Sequence, residues 1–144
     1  MLLGKKAEVR LLNALSEYTT VRLGTKREDR AGIDLVIHHE DMDIPVQLTL
    51  YPDFAEDLRM FCKRVRGPAA YIKLERLKTI PRAALEVARF LERLHGDVLL
   101  LIVEKSGRLL SALLPRERIH EIDIIPERYH YEGALKAATV SSLY

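Results

Sequence analysis

Residues 32–37 read Gly-Ile-Asp-Leu-Val-Ile and residues 44–50 read Ile-Pro-Val-Gln-Leu-Thr-Leu, and these two runs decide the fold of this chain. Each run is apolar apart from isolated polar residues, and a polar segment separates them, which predicts a β-hairpin with buried strands. A polar side chain in a buried strand costs free energy unless a partner satisfies it. Asp34, Gln47 and Thr49 therefore indicate a site built on the hairpin.

The length of the turn decides which of these side chains face each other. Side chains on a strand alternate between the two faces of a sheet. A two-residue turn at Glu40-Asp41 would place Asp34 opposite Gln47, whereas a four-residue loop over 40–43 would place it opposite Thr49. Either register puts the three side chains on one face.

Composition sets only loose limits on function. The chain has 144 residues, of which 48% are hydrophobic and 31% charged, an ordinary balance for one globular domain. The net charge of +2 permits a nucleic-acid partner without arguing for one, because a basic footprint has to be clustered. Arginine outnumbers lysine, and arginine binds phosphate in a bidentate fork.

The rarest side chains indicate the compartment and the source. The single cysteine, Cys62, excludes an internal disulfide and favours a reducing cytoplasm. Residues 1–6 are too short and too charged for a signal peptide, and no apolar run is long enough to span a membrane. Asn13 and Gln47 are the only side-chain amides, and their rarity beside abundant Arg and Glu is typical of a thermophilic source.

Periodicity and turn signals predict the elements around the hairpin. They are a helix over 2–16, a strand over 19–23, a polar loop over 24–30, a helix over 54–65 capped by Asp53, a strand over 70–74, a helix from Pro81 to Gly96, strands over 98–103 and 109–114, and a weak strand over 122–125. No linker or repeat divides the chain. We therefore expect one domain over 1–144, with a core over 1–77 and an extension of the same domain over 78–144.

A further carboxylate lies on the first predicted helix. The apolar stripe of that helix consists of Leu3, Ala7, Leu11, Ala14 and Leu15. Glu8 projects at the border of this stripe, where a carboxylate needs a site or a partner.

The order helix, three strands, helix, strand, with Glu8, Asp34 and Gln47 at these places, resembles the PD-(D/E)XK nuclease superfamily. Within that superfamily, the small Holliday-junction-resolvase-like members are the most similar. The resemblance covers roughly the first half of the chain. It implies an α/β fold of the restriction-endonuclease type: an αβββαβ core with a mixed central sheet flanked by helices, plus an appended helix and strands.

The resemblance also implies catalytic roles. Glu8 matches the helix carboxylate, Asp34 the strand aspartate, and Gln47 the third ligand in its amide form, so that the three would bind Mg²⁺ or Mn²⁺. Metal-assisted phosphodiester hydrolysis needs hard oxygen ligands and a way to hold a nucleophilic water. Thr49 is the fourth catalytic position, where the family has a lysine, and it cannot supply the positive charge.

Two explanations of the missing lysine stay open. Either a lysine has moved in from elsewhere, with Lys5, Lys26 and Lys73 as the candidates, or the site is eroded and the fold is kept for binding or assembly. We expect erosion, and hence weak or absent nuclease activity.

Each site residue also has a purely structural interpretation. Asp34 could cap a turn or pair with Arg22 or Arg30, Glu8 could be a solvated residue at the rim of its helix, and Gln47 could be an ordinary strand residue. Only the combination of the three, in this order, supports a site.

Another polar group lies at the tip of the hairpin. It consists of His38, His39, Glu40, Asp41 and Asp43. Residues so close in sequence favour a solvated turn over a tetrahedral metal site.

We therefore expect a nuclease-like domain that acts on DNA or binds it without sequence preference. The residues expected to contact phosphate flank the site in the implied fold and are Lys5, Arg22, Lys26, Arg27 and Arg30. The alternative is a non-catalytic α/β assembly or interaction module that forms a homodimer through an edge strand at 109–114.

Overall fold

The computed structural model describes residues 2–50, 54–104 and 106–115. The α-helices in these ranges are α1 (Leu2–Leu15), α2 (Lys26–Arg30), α3 (Ala55–Arg64) and α4 (Ile80–Phe90). The strands are β1 (Thr20–Leu23), β2 (Leu35–His39), β3 (Met42–Thr49), β4 (Ala69–Lys73), β5 (Val98–Val103) and β6 (Leu109–Leu114). Short 3₁₀ helices at Leu77–Thr79 and Leu91–Arg93 lie on either side of α4.

The six strands form one mixed sheet in the order β1-β2-β3-β4-β5-β6. The pairs β1–β2, β2–β3 and β5–β6 are antiparallel, whereas β3–β4 and β4–β5 are parallel. The parallel pairs require crossover connections, which α3 and α4 supply. The predicted α/β class with a mixed sheet is confirmed, and the strands after residue 78 continue the sheet of the first half.

Helices cover both faces of the sheet and define two cores. One core joins α1 and α4 to alternate strand residues such as Leu35, Val46 and Ile72. The other joins α3 to the opposite alternation, with Tyr71 and Leu100 at its centre. Fully buried β5 lies between the two cores, as its uninterrupted apolar run predicts.

The hairpin has the shorter of the two predicted turns. Leu35 pairs with Val46 and His39 with Met42, so only Glu40 and Asp41 connect the strands. Glu40 has φ 53°, the left-handed conformation that two-residue hairpin turns require. Continuing this register by one step places Asp34 opposite Gln47.

The prediction of a loop over 24–30 is wrong, because residues 26–30 form α2. Thr25 caps this helix: its hydroxyl accepts the Glu28 N–H at 3.2 Å, and the Glu28 carboxylate accepts the Thr25 N–H at 2.8 Å. Such a reciprocal capping box satisfies two backbone donors at once.

Two further predictions, the Asp53 cap and the strand over 122–125, lie outside the described residues. The predicted helix ending at Gly96 is α only as far as Phe90 and continues as a 3₁₀ turn over Leu91–Arg93. Among the residues that the structure describes, no helix has the length and apolar character needed to cross a membrane.

Replacing Thr25 with alanine should lower the free energy of unfolding by about 1 kcal/mol, because the N–H of Glu28 loses its acceptor. Chemical denaturation measures this loss. Lys26→Ala, an exposed change in the first turn of the same helix, is the matched control and should stay within about 0.5 kcal/mol of the wild type. Equal effects of the two substitutions would show that the cap does not hold α2.

Candidate metal centre

Three carboxylates from three different elements converge where β2 begins. Glu8 comes from α1, Asp29 from α2, and Asp34 from the residue before β2. One carboxylate oxygen of each lies within 4.8 Å of those of the other two. The structure therefore brings together two of the predicted ligands, Glu8 and Asp34, and adds a third carboxylate.

Two hydrogen bonds to β3 fix the position of Asp34. Its backbone N–H donates to the Val46 carbonyl at 2.9 Å, and its carboxylate Oδ2 accepts the Leu48 N–H at 2.8 Å. These bonds fall on either side of Gln47 in the sequence of β3. The sequence left open a pairing of Asp34 with Arg22 or Arg30. In the structure, the Asp34 carboxylate instead bonds to the backbone of β3.

Burial and neighbouring charges make the Asp34 carboxyl hard to ionise. Its pKa is raised from 3.8 to about 7, chiefly by desolvation; the nearby Glu8 and Asp29 add to the rise, and the hydrogen bond from the Leu48 N–H opposes it. Burial also raises the pKa of Glu8, against the lowering effect of Lys5, whose Nζ lies 3.7 Å from the Glu8 carboxylate. Folding thus places acidic groups where their negative charge is costly.

Sequence reasoning missed Asp29, because the segment that carries it was assigned to a loop. The signal that could have found it is Thr25-Lys26-Arg27-Glu28, a threonine followed three residues later by a glutamate. This pattern marks the start of a helix, and the helix directs Asp29 toward Asp34.

Gln47 is held on the α3 side of the sheet. Its Nε2 donates to Oδ2 of Asp57 at 2.8 Å, and the Tyr71 hydroxyl donates to the same oxygen at 2.6 Å. The Gln47 Oε1 atom is buried and has no hydrogen-bond partner among the described residues. It lies against the turn before Asp34, since a Cβ built on Gly32 would stand 3.2 Å from it.

Thr49 is a buried residue on the same strand face as Gln47. It is 7% exposed, and its hydroxyl hydrogen-bonds to the Tyr71 phenol. Its partner in the β3–β4 register is Lys73, one of the three lysines that the sequence offers in place of the lysine expected at position 49. Lys73 is 1% exposed and its Nζ bonds to the Glu75 carboxylate at 2.7 Å, so its charge is already paired.

The predicted phosphate-binding residues divide into two groups. Lys5, Lys26, Arg27 and Arg30 are exposed. Arg22 instead forms a bidentate pair with Glu28, at 2.7 and 3.0 Å, and this pair lowers the pKa of Glu28 to about 2. This ion pair links β1 to α2.

The donor set of the centre fits a hard divalent cation. Magnesium prefers carboxylate and carbonyl oxygens, and Glu8, Asp29 and Asp34 offer three carboxylates. The third predicted ligand, Gln47, is not a member of this group: its Oε1 lies against Gly32 and its Nε2 bonds to Asp57. A cation would offset the negative charge of Glu8 and Asp29, which adds to the effect of burial on the pKa of Asp34. No protein-family model, no curated protein and no solved structure matches this chain.

Asp34→Asn should stabilise the protein above neutral pH by about 2 kcal/mol, because it removes a carboxylate whose folded pKa is raised. The neutral acid contributes stability that is fully present below pH 3.8 and is lost as the pH rises toward 7. The free energy of unfolding of the variant should therefore increase relative to that of the wild type as the pH rises. Urea titrations without divalent ions at pH 4 to 8 measure this difference.

The matched control is Asp41→Asn, in the exposed hairpin turn, which should show no comparable gain. A constant difference between Asp34→Asn and the wild type across this pH range would contradict a raised pKa.

Proposed function

We propose that this chain is a nuclease-like, nucleic-acid-processing or DNA-binding domain with a degenerate magnesium site. The convergence of Glu8, Asp29 and Asp34 carries this proposal, because two half-buried carboxylates and one exposed carboxylate meet there and the pKa of Asp34 is strongly raised, as is typical of a functional site.

The topology supports a restriction-endonuclease-like core. Helix α1 is followed by the antiparallel strands β1, β2 and β3, and α3 then crosses to β4, which is parallel to β3. Apart from the short helix α2 between β1 and β2, this order is compatible with the αβββαβ core that the resemblance to the PD-(D/E)XK nucleases implies. Strands β5 and β6 extend the sheet beyond that core.

Glu8, Asp29 and Asp34 would hold the metal. A bound Mg²⁺ or Mn²⁺ would supply charge stabilisation at a phosphodiester and lower the pKa of a water molecule. The N–H of Leu48 orients Asp34, and Asp57 orients the Gln47 amide.

The element that the proposed site lacks is the lysine of the related motif. Thr49 replaces the lysine of the related motif, Lys73 is paired with Glu75, and Lys5 lies beside Glu8 near the surface. We therefore propose weak or absent catalysis, with binding of DNA as the retained property. Reduced, buried Cys62 fits a cytoplasmic location, which is part of the same proposal.

Mn²⁺ or Mg²⁺ should bind to the wild-type protein and not to Asp34→Ala, because the variant loses the central carboxylate. Isothermal titration calorimetry measures the binding, and Asp41→Ala is the matched control. Absence of binding to the folded wild type would refute the metal site.

The same samples should cleave branched, double-stranded and single-stranded DNA weakly or not at all, because the motif cation is missing. Robust cleavage that disappears in Asp34→Ala would overturn the assignment of a degenerate site. Lys26→Ala and Lys73→Ala would then identify the lysine that had taken over.

DNA binding should weaken with salt and be indifferent to sequence, because phosphate contacts release counterions with a slope of ~0.9 per contact on duplex DNA. Fluorescence anisotropy between low and moderate salt measures the slope. Removing the α2 charges Lys26, Arg27 and Arg30 should reduce both the slope and the affinity.

The control for this variant removes an equal number of exposed charges elsewhere, at Arg76, Lys78 and Arg89. No binding at low salt, or equal losses in the two variants, would favour the alternative function of an assembly module. That alternative rests on β6, which is an edge of the described sheet and whose Leu109 and Leu110 are only half-buried.

A further inference from the structure

A second group of potential metal ligands lies at the opposite end of β2. His39 ends the strand, Glu40 follows in the turn, and Glu92 belongs to the 3₁₀ helix at Leu91–Arg93. One ligand atom of each residue lies within 4.8 Å of those of the other two. The group joins the hairpin tip to the helical layer.

Strand parity explains why these residues meet. His39 shares the alternation of Leu35 and Ile37, which face the core that contains α4. Glu92 lies just beyond α4 in the chain. The neighbouring His38 has the opposite parity, and its Nδ1 lies 2.5 Å from the carboxylate of its register partner Asp43.

His39 and Glu92 are close enough for a hydrogen bond, but the angle at the His39 ring nitrogen is unfavourable for one. The His39 Nε2 atom lies 3.3 Å from a Glu92 carboxylate oxygen and 3.9 Å from one of Glu40. Nevertheless Nε2, which is buried, has no hydrogen-bond partner among the described residues. The carboxylate oxygen of Glu92 therefore stands off the axis along which the ring nitrogen bonds.

This arrangement suits ligands that point at a common ion instead of at one another. With zinc–ligand bonds of about 2.0 to 2.1 Å, neighbouring ligands of a tetrahedral ion stand about 3.3 Å apart. One imidazole nitrogen and two carboxylates also balance the charge of a divalent ion. The side chain of His39 is 18% exposed, whereas those of Glu40 and Glu92 are 68% and 72% exposed and free to adjust.

We propose that His39, Glu40 and Glu92 bind a divalent metal ion such as zinc. The bound ion would link the β2–β3 turn to the 3₁₀ helix after α4. The imidazole nitrogen distinguishes this site from the all-oxygen group around Asp34, which suits magnesium. Three protein ligands leave a coordination position for water. The site does not depend on the proposed nuclease-like function.

Competition between the metal-free protein and a chromophoric zinc chelator tests the proposal, together with thermal unfolding in Zn²⁺ and in Mg²⁺. The wild type should bind one equivalent of zinc tightly and unfold at a higher temperature with zinc. Glu92→Gln, which changes only an exposed side chain, should weaken zinc binding about tenfold or more. His39→Ala should abolish this binding, with circular dichroism as the check on its folding.

Two controls separate this site from other zinc ligands. His38→Ala should keep the bound zinc, because His38 lies on the other face of β2. Asp34→Asn should also keep it, because the acids around Asp34 form a separate group. The proposal would be overturned if the wild type bound no zinc, if Glu92→Gln bound zinc as tightly as the wild type, or if either control lost its zinc.

Discussion

The two hydrogen bonds between Asp34 and β3 are the contact on which the arrangement of the candidate centre depends. They fix where β2 begins relative to β3, and the hairpin register then follows down to the two-residue turn. Asp34 also ends the turn that follows α2, and in that turn the Gly32 N–H donates to the Asp29 carbonyl. A shift of one residue in this pairing would turn the apolar side chains Leu35 and Ile37 away from α1.

The acids of this centre and the polar residues beneath α3 are stabilised to very different degrees. Asp57 accepts hydrogen bonds from Gln47 and Tyr71, so the polar groups of that network support the packing of α3. Glu8 and Asp34 instead carry raised pKa values because burial and like charge oppose their ionisation. Proteins retain such costly groups where function requires them.

The sequence predicted the elements whose pattern is local. The apolar runs of β5 and β6 and the periodicity of α1 gave nearly the observed bounds. Helix α2 was missed because five polar residues have no apolar face, and Asp29 was missed with it. The meeting of Glu92 with His39 depends on how the helices pack on the sheet, because these residues are far apart in the sequence. Lys73 and Glu75 are only two residues apart, and their pairing follows from the burial of Lys73 in the sheet.

The bond from Gln47 to Asp57 explains why an amide occupies this position of β3. A glutamate there would direct a second carboxylate at an oxygen that now stands 2.8 Å from an N–H donor. Two like charges at that separation would repel in a buried setting. Positions 47 and 57 are therefore coupled physically: an acidic residue at 47 would be repelled by the aspartate of α3, and an amide at 57 would relieve that repulsion.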